Sequence, residues 1–207
     1  MQAAFYVKQG AAHEVLQVGE QPAPEPGPGE VRVHLKTSGV NPSDWKSRSG
    51  RTAPMSAPLI IPHSDGAGDV DRVGPGVTNR VGQRVWVWNG QWRRPHGTAA
   101  EYIVLPSAQA VLLPEDIGYA EGACFGIPAL TALQAVRLAE LSPASTVMVV
   151  GGAGSVAHYA IQFAKMRGAR VSSLPSADLR RRHMPVARAQ TRSSIIEPKM
   201  WVSASRR

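Results

Sequence analysis

The chain has 207 residues, of which 43% are hydrophobic, so it can bury a core as one large domain or one and a half smaller ones. No apolar run reaches the roughly 18 residues of a membrane span, and the N-terminus lacks the features of a signal peptide, so we expect a cytoplasmic protein without a membrane partner. The single cysteine, Cys124, excludes an internal disulfide and a multi-cysteine zinc site.

The net charge of +8 is concentrated at the C-terminus. Residues 1–170 hold 15 of the 23 Lys and Arg residues and 13 of the 15 Asp and Glu residues, a balance of +2. The last 37 residues therefore carry +6. Because the body is nearly neutral, its charge gives no reason to expect a nucleic-acid partner.

The first part of the chain shows short runs of alternating apolar and polar residues, separated by Gly, Pro and Asn. A stiff, proline-rich connector over residues 22–30 interrupts them. The predicted strands cover residues 3–7, 15–18, 31–35, 66–73, 84–88, 98–104 and 110–113. This spacing predicts a small, closed, antiparallel barrel.

The pattern changes to α/β near Ala120. Apolar residues at helical spacing predict a helix over residues 129–140, followed by a buried strand over 146–150, a helix over 155–167 that stops at Gly168, and a strand over 169–173. Residues 175–207 show neither the two-residue period of a strand nor the 3.6-residue period of a helix. They are predicted to be a disordered basic tail. The fold class is therefore α/β plus β.

A glycine motif joins the predicted strand 146–150 to the helix that follows. Gly152, Gly154 and Ala157 fit the G-x-G-x-x-[GA] pattern, in which the glycines let the backbone approach a pyrophosphate and the helix N-terminus faces it. The alternative is a glycine-rich turn without a ligand, but the flanking strand and helix favour a dinucleotide. Leu174 lies 20 residues beyond Gly154, where NAD sites carry an acidic residue, so the motif favours NADPH.

Ordered segments give the chain a resemblance to the zeta-crystallin-like NADPH:quinone reductases, the zinc-independent branch of the medium-chain dehydrogenase/reductase superfamily. The segments are PAPEPGPGEVRV, SGVNPSDWKSRSG, IPHSDGAG, GTAAEY, GIPALTA and GGAGSVAHYAIQFAK. The resemblance implies a GroES-like barrel over residues 1–125, a truncated NADPH-binding Rossmann domain over 126–174, and hydride transfer to a quinone or similar acceptor. It also implies a homodimer, although the strands that form the dimer edge are missing.

Zinc-dependent relatives provide a contrast for the metal. Where they carry a cysteine and a histidine ligand this chain has Asn41 and Ser64, and the third ligand falls near Ile127 or Pro128. We read Cys124 as a small buried thiol, and His63 and His96 as loop or core histidines. No metal is expected.

The resemblance also implies the site residues. Asn41 would lie beside the nicotinamide ribose and the substrate, and Thr131 would contact the cofactor together with Gly151, Gly152, Gly154, Ser155, Val156 and Ala157. Lys46 and Thr52 stand where several relatives have the two tyrosines of the quinone pocket, so they join Asn41 as candidate catalytic residues. For Asn41, a turn residue before Pro42 is an almost equal alternative.

Tryptophan and arginine alternate over residues 86–94, a pattern that single-stranded nucleic-acid grooves also use. A barrel strand followed by a loop is the preferred interpretation, because the tryptophans alternate as they do in a strand.

The tail gives a further hypothesis. With suitable codons, Ser193 to Trp201 read from the third base encodes IDYRTEDV, which resembles the way the family continues. We therefore expect residues 175–207 to be family coding sequence translated out of frame. The alternative to an enzyme is a non-catalytic fragment or pseudogene product, or a barrel module whose basic tail binds nucleic acid.

Overall fold

The structure is a computed structural model in which residues 1–174 are described. The chain divides into two compact units, Met1–Ile127 and Pro128–Arg207. From the sequence we place the division after residue 125. The predictions for residues 175–207, the out-of-frame origin and the disordered basic tail, lie outside the described residues. No helix within residues 1–174 is long and apolar enough to cross a membrane.

A two-stranded antiparallel hairpin opens the first unit. Strand β1 (Gln2–Phe5) pairs with β2 (Gln17–Glu20), and the short helix α1 (Ala12–Val15) lies between them. The prediction of a strand that begins at Val15 is wrong, because Val15 ends this helical turn and is buried there with Tyr6 and Ile60.

The main sheet of the first unit has five antiparallel strands. They are β3 (Glu30–Gly39), β4 (Asp65–Val73), β5 (Arg84–Val87), β6 (Tyr102–Pro106) and β7 (Ala110–Leu112), and their order is β6-β3-β4-β5-β7. Two irregularities between β3 and β4 help the sheet to curl. The antiparallel, barrel-like sheet expected for this unit is confirmed. The prediction that it closes is wrong, because among the described residues the sheet is a half-barrel that is open between β6 and β7.

One face of this sheet forms the core of the first unit. The buried side chains come from all five strands and are mostly β-branched, which suits a pleated surface. They are Val31, Val33, Val70, Val85, Val87, Ile103, Leu105 and Ala110. Successive side chains of a strand point to opposite faces, so the alternation in the sequence predicts this core.

Arg32 lies between two core valines on β3 and is nevertheless only 6% exposed. Its guanidinium forms ion pairs with Asp71 at 2.7 Å and Glu25 at 2.9 Å, and its Cζ lies 4.9 Å from the centre of the Tyr102 ring. Glu25 belongs to the proline-rich connector. Arg32 therefore fixes the connector to the outer face of the sheet.

Two short helices adjoin the sheet. Helix α2 (Pro42–Arg48), which the sequence analysis does not predict, follows β3 directly, and the short helix α3 (Tyr119–Gly122) follows β7. The strand predicted over residues 98–104 begins too early. The amide groups of Thr98 and Ala99 bond to the carbonyl groups of His63 and Pro62 in a loop, and β6 starts only at Tyr102.

The second unit has a helix–strand–helix–strand order. A π-helical turn (Phe125–Ala129) leads into α4 (Leu130–Leu138), which is followed by β8 (Thr146–Val150), α5 (Ser155–Met166) and β9 (Arg170–Leu174). Strands β8 and β9 are parallel. Gly168 follows α5 with φ of +80°, as its predicted role as a helix stop requires.

Helices α4 and α5 pack against each other through a core of small and aromatic side chains. Its buried members are Ala129, Ala132, Val136, Phe163, Ala164 and Ala169. The expectation that strand 146–150 is buried on both faces is wrong, because Met148 is 56% and Val150 45% exposed. Among the described residues, helices cover only the alternate positions of β8.

Replacing Leu105 with alanine should strongly destabilise the first unit. Leu105 is fully buried in the sheet core, so Leu105→Ala should reduce the free energy of unfolding by about 2–5 kcal/mol. Urea unfolding followed by tryptophan fluorescence measures this, since four of the five tryptophans lie in the first unit. Leu112→Ala on β7 is the control, because Leu112 is 60% exposed. Equal losses in both variants would contradict the assigned core.

Candidate active site

The start of α2 is fixed by its own sequence. Asn41 is the residue before the helix and has extended φ and ψ of −120° and 157°, and Pro42 occupies the first helical position, where a missing N–H costs nothing. The carboxylate of Asp44 accepts a hydrogen bond of 2.6 Å from the backbone N–H of Asn41. Asn41 and Asp44 are both buried. The alternative interpretation of Asn41, a residue that shapes the turn, therefore describes part of its role.

Asp65, at the beginning of β4, is the centre of the buried polar residues. Its side chain is almost completely inaccessible, at 1% exposure. Oδ2 accepts hydrogen bonds from Asn41 Nδ2 at 2.8 Å and from the backbone N–H of Ile127 at 2.9 Å. Asp65 therefore joins the start of α2 to the π-helical turn at the end of the first unit.

The second oxygen of Asp65, Oδ1, is buried and has no hydrogen-bond partner among the described residues. A Cβ atom at Gly126 would collide with this oxygen, so only glycine leaves room for the carboxyl group. Buried polar atoms without partners are rare. Because Oδ2 accepts both hydrogen bonds, Oδ1 is the oxygen that would carry the proton of a neutral carboxyl group.

The electrostatics favour the protonated form of Asp65 up to about pH 6. Burial raises the pKa of Asp65 from 3.8 to about 6, the hydrogen bonds from Ile127 and Asn41 lower it, and nearby Asp44 raises it further. Burial also raises the pKa of Asp44, against the hydrogen bonds from Asn41 and Ser43. The site thus contains two neighbouring carboxyl groups that both resist ionisation.

A chain of hydroxyl groups extends from Asp65 toward His63. Thr98 Oγ1 donates a hydrogen bond of 2.6 Å to the backbone carbonyl of Asp65, Ser38 Oγ lies 2.8 Å from Thr98 Oγ1, and His63 Nδ1 lies 2.9 Å from Ser38 Oγ. Burial lowers the pKa of His63, which favours the neutral ring. His63 therefore lies in a loop and is held by a hydrogen bond to Ser38, in agreement with its interpretation as a loop or core histidine.

A pocket of about 480 Å³ opens beside α2 in the first unit. Thr52 lines it, and Thr52 Oγ1 lies 3.1 Å from Ser47 Oγ, which also faces the pocket. Asp44 contributes to the same wall. Lys46 is not among the lining residues; it is exposed, with its Nζ 5.9 Å from the Trp45 ring. The structure thus places Thr52, but not Lys46, at this pocket.

The glycine turn of the second unit has the shape of an anion site. Gly151 adopts a φ of +79°, and the amide groups of Gly151 and Gly152 bond to the carbonyl of Leu174 at 2.8 and 3.2 Å. Gly154 precedes α5 and provides no side-chain cap. The first-turn amide groups, those of Ser155, Val156 and Ala157, have no intrahelical acceptors and are free to bind phosphate. Thr131 lies exposed on α4.

Within residues 1–174 there is no group of three or more His, Cys, Asp or Glu side chains that could hold a metal ion. Asn41 and Ser64 carry an amide and a hydroxyl group, and neither is a good zinc ligand. Cys124 is exposed, so the interpretation of a small buried thiol is wrong. Its Sγ contacts the carbonyl of Ala120 at 3.4 Å from the outer side of the turn after α3.

The role of Asp65 is not predicted from the sequence, because it depends on partners 24 and 62 residues away. A local signal is available. An acidic residue within the small-residue run SDGAG, where the chain packs closely, indicates a carboxyl group that can be buried.

Replacing Asp65 with asparagine should flatten the pH dependence of folding. Because burial raises the pKa of Asp65 to about 6, the native state binds more protons than the unfolded state between about pH 4 and about pH 6. Wild-type stability should therefore fall as the pH rises through this range, by on the order of 2–3 kcal/mol, and then level off. Asp65→Asn should lose most of this slope, with a remainder from Asp44.

Urea unfolding at several pH values between about 4 and about 7 measures the slope. Asp116→Asn is the matched control, because Asp116 is exposed and should leave the slope unchanged. A slope in Asp65→Asn equal to that of the wild type would show that Asp65 does not carry the buried proton.

Comparison with known proteins agrees with this architecture. Residues 27–115 match the alcohol dehydrogenase GroES-like domain. The chain is 32% identical over 182 residues to the chloroplast envelope quinone oxidoreductase homolog of Arabidopsis thaliana, covering 84% of this chain and 55% of that protein. It is 36% identical over 176 residues to the quinone oxidoreductase of Pseudomonas aeruginosa, covering 82% of this chain and 53% of that protein.

A solved structure extends the comparison. A mycobacterial protein complexed with NADPH superposes with a TM-score of 0.71 at 30% identity, over 84% of this chain and 51% of that one. The chain thus spans about half the length of the curated relatives that it matches. The chain therefore contains an alcohol dehydrogenase GroES-like domain over residues 27–115, and quinone oxidoreductases are among the proteins that it is similar to.

Proposed function

We propose that this chain belongs to an enzyme that reduces quinones with NADPH by hydride transfer, without zinc. The observation that carries the proposal is the glycine turn between β8 and α5, in a chain that begins with a GroES-like unit. The names of its relatives support it, since they include quinone oxidoreductases, and so does the NADPH bound to the mycobacterial protein.

The residues of the second unit fit a dinucleotide. Gly151 and Gly154 present backbone without side chains, and the unpaired amide groups at the start of α5 complement a negatively charged pyrophosphate. When bound, the nicotinamide would supply the hydride. The role of the protein is to orient the cofactor and the acceptor and to exclude water.

Strand β9 favours NADPH over NADH. It ends in Ser172, Ser173 and Leu174 beside the glycine turn, and none of its described residues carries a carboxylate. NAD sites normally place an acidic side chain near the end of this strand to bind the ribose 2′-hydroxyl. Hydroxyl groups accept a 2′-phosphate without electrostatic repulsion.

Zinc independence rests on the chemistry of the available donors. Asn41 donates its side-chain amide to Asp65, so it is already committed to a hydrogen bond. Ser64 stands where zinc-dependent relatives have a histidine. We propose that the neutral amide of Asn41, held by Asp65, takes part in substrate binding, with Thr52 on the pocket wall and Thr131 at the cofactor. A contact of Lys46 with the acceptor stays a prediction.

NADPH should stabilise the full chain in a thermal-shift titration. A ligand at 100 times its Kd contributes about 2.7 kcal/mol, so Tm should rise by several degrees at about 1 mM NADPH and less with NADH. Gly154→Val should abolish the shift, because its side chain would stand between the backbone and the phosphates. Ala153→Val is the matched control, since Ala153 is exposed at a position of the motif that tolerates any residue.

If NADPH does not raise the Tm of the wild-type chain, the proposed enzymatic function is contradicted for this 207-residue protein. A non-catalytic fragment would then be favoured. Retention of single-stranded nucleic acid that weakens with salt would instead favour the barrel module with a nucleic-acid-binding tail.

A further inference from the structure

One wall of the pocket beside α2 comes from the loop after β5, residues 89–94. Its backbone is held tightly: Gly90 N–H donates to the carbonyl of Ser64 at 2.8 Å, and Trp92 N–H to that of Asn89 at 3.0 Å. Asn89 and Arg93 have positive φ angles of 52° and 57°. Such conformations are uncommon for residues other than glycine and persist where the surrounding structure holds them. The backbone of this loop is therefore held in one conformation beside the pocket.

Arg94 brings a partly buried positive charge to this wall. Its Nη2 donates to two neutral acceptors, the carbonyl of Asn89 at 2.9 Å and Oε1 of Gln109 at 2.7 Å. Its Nε is buried and has no partner among the described residues. Burial lowers the pKa of Arg94, and the Glu30 carboxylate raises it in part, but no described carboxylate lies close enough to form an ion pair with Arg94. A partly buried cation without a direct ion pair gains stability when a ligand supplies negative charge.

Trp92 and Arg93 complete the wall. The Trp92 side chain is 64% exposed although it is large and apolar, and the Arg93 guanidinium carbon lies 5.7 Å from its ring centre. Both residues line the pocket. A fixed, exposed indole ring is a stacking surface for a flat aromatic molecule, and arginine beside it attracts negative charge.

The negative charge at this pocket is weaker than the positive charge of the two arginines. Asp44 is the acidic lining residue, and its carboxylate accepts hydrogen bonds from Asn41 N–H at 2.6 Å and from Ser43 Oγ at 3.4 Å. Burial also raises the pKa of Asp44 and so favours its neutral form. The two arginines therefore determine the sign of the electrostatic potential in the pocket.

We propose that this pocket binds a flat aromatic acceptor that carries an anionic group, with Trp92 against the ring and Arg93 and Arg94 against the negative charge. The hydroxyl groups of Ser47 and Thr52 on the opposite wall provide donors for a quinone carbonyl. The identification of the ligand as the hydride acceptor rests on the proposed function. The binding preference itself does not require turnover.

Equilibrium dialysis of the full chain with two matched quinones tests the preference. Anthraquinone-2-sulfonate carries the negative charge, and 2-(hydroxymethyl)anthraquinone has the same ring system without it. We expect the sulfonate to bind about tenfold more tightly at low salt, with a preference that shrinks as the salt concentration rises. Equal affinity of the two compounds would overturn the proposal.

Variants of Trp92, Arg93 and Arg94 test whether these residues cause the preference for the anionic quinone. Arg93→Gln should remove most of the discrimination and should weaken the sulfonate far more than the neutral quinone. Arg93 is exposed and its side chain forms no hydrogen bond among the described residues, so folding should tolerate the change. Trp92→Ala should weaken both quinones. Arg94→Gln should reduce the discrimination further, and Arg94→Lys, which retains the charge without the planar fork, should keep more of it than Arg94→Gln.

Arg72→Gln is the matched control, since it removes one positive charge from β4 outside the pocket and should preserve the preference. A preference that Arg93→Gln and Arg94→Gln both leave intact would overturn the assignment to these two arginines. So would displacement of the sulfonate by NADPH, which would mean that the arginines bind the cofactor, or by single-stranded oligonucleotide. Failure of NADPH to bind, with the preference intact, would contradict the proposed function and leave this site standing.

Discussion

A buried carboxyl group organises the candidate site of the first unit. Asp65 gives up its hydration at the beginning of β4 and receives in return hydrogen bonds from Asn41 and from the backbone of Ile127. Through these bonds it holds the start of α2, whose later residues line the pocket. Since each partner comes from a different segment, none of the three can move without leaving a polar group unpaired.

The fold could largely be read from local patterns, and the exceptions have physical causes. The alternation of Val31, Arg32 and Val33 predicts β3, and the glycine motif predicts the β8–α5 turn, because both signals depend on neighbouring residues only. Helix α2 was not predicted, because its sequence is almost entirely polar and shows no apolar residues at helical spacing. It is stabilised by its N-terminal residues and by Asp65.

The candidate site was less predictable than the fold. Asn41 and Thr52 came from the family resemblance, and the structure gives each a place in the first unit. Asp65 and Arg94 did not emerge from the sequence, because their significance lies in missing partners. An unpaired Oδ1 and an unpaired Nε become visible only when every surrounding donor and acceptor is placed. The same limit applies to Cys124, whose exposure depends on how the turn after α3 packs.

The contact between Asp65 and Gly126 has an evolutionary consequence. The carboxyl oxygen of Asp65 occupies the volume that any side chain at position 126 would need. A substitution at Gly126 would therefore be harmful while Asp65 is present and tolerable once a smaller residue has replaced it. The two positions are epistatic, and a lineage can change them only in one order, with the loss of the carboxyl group first.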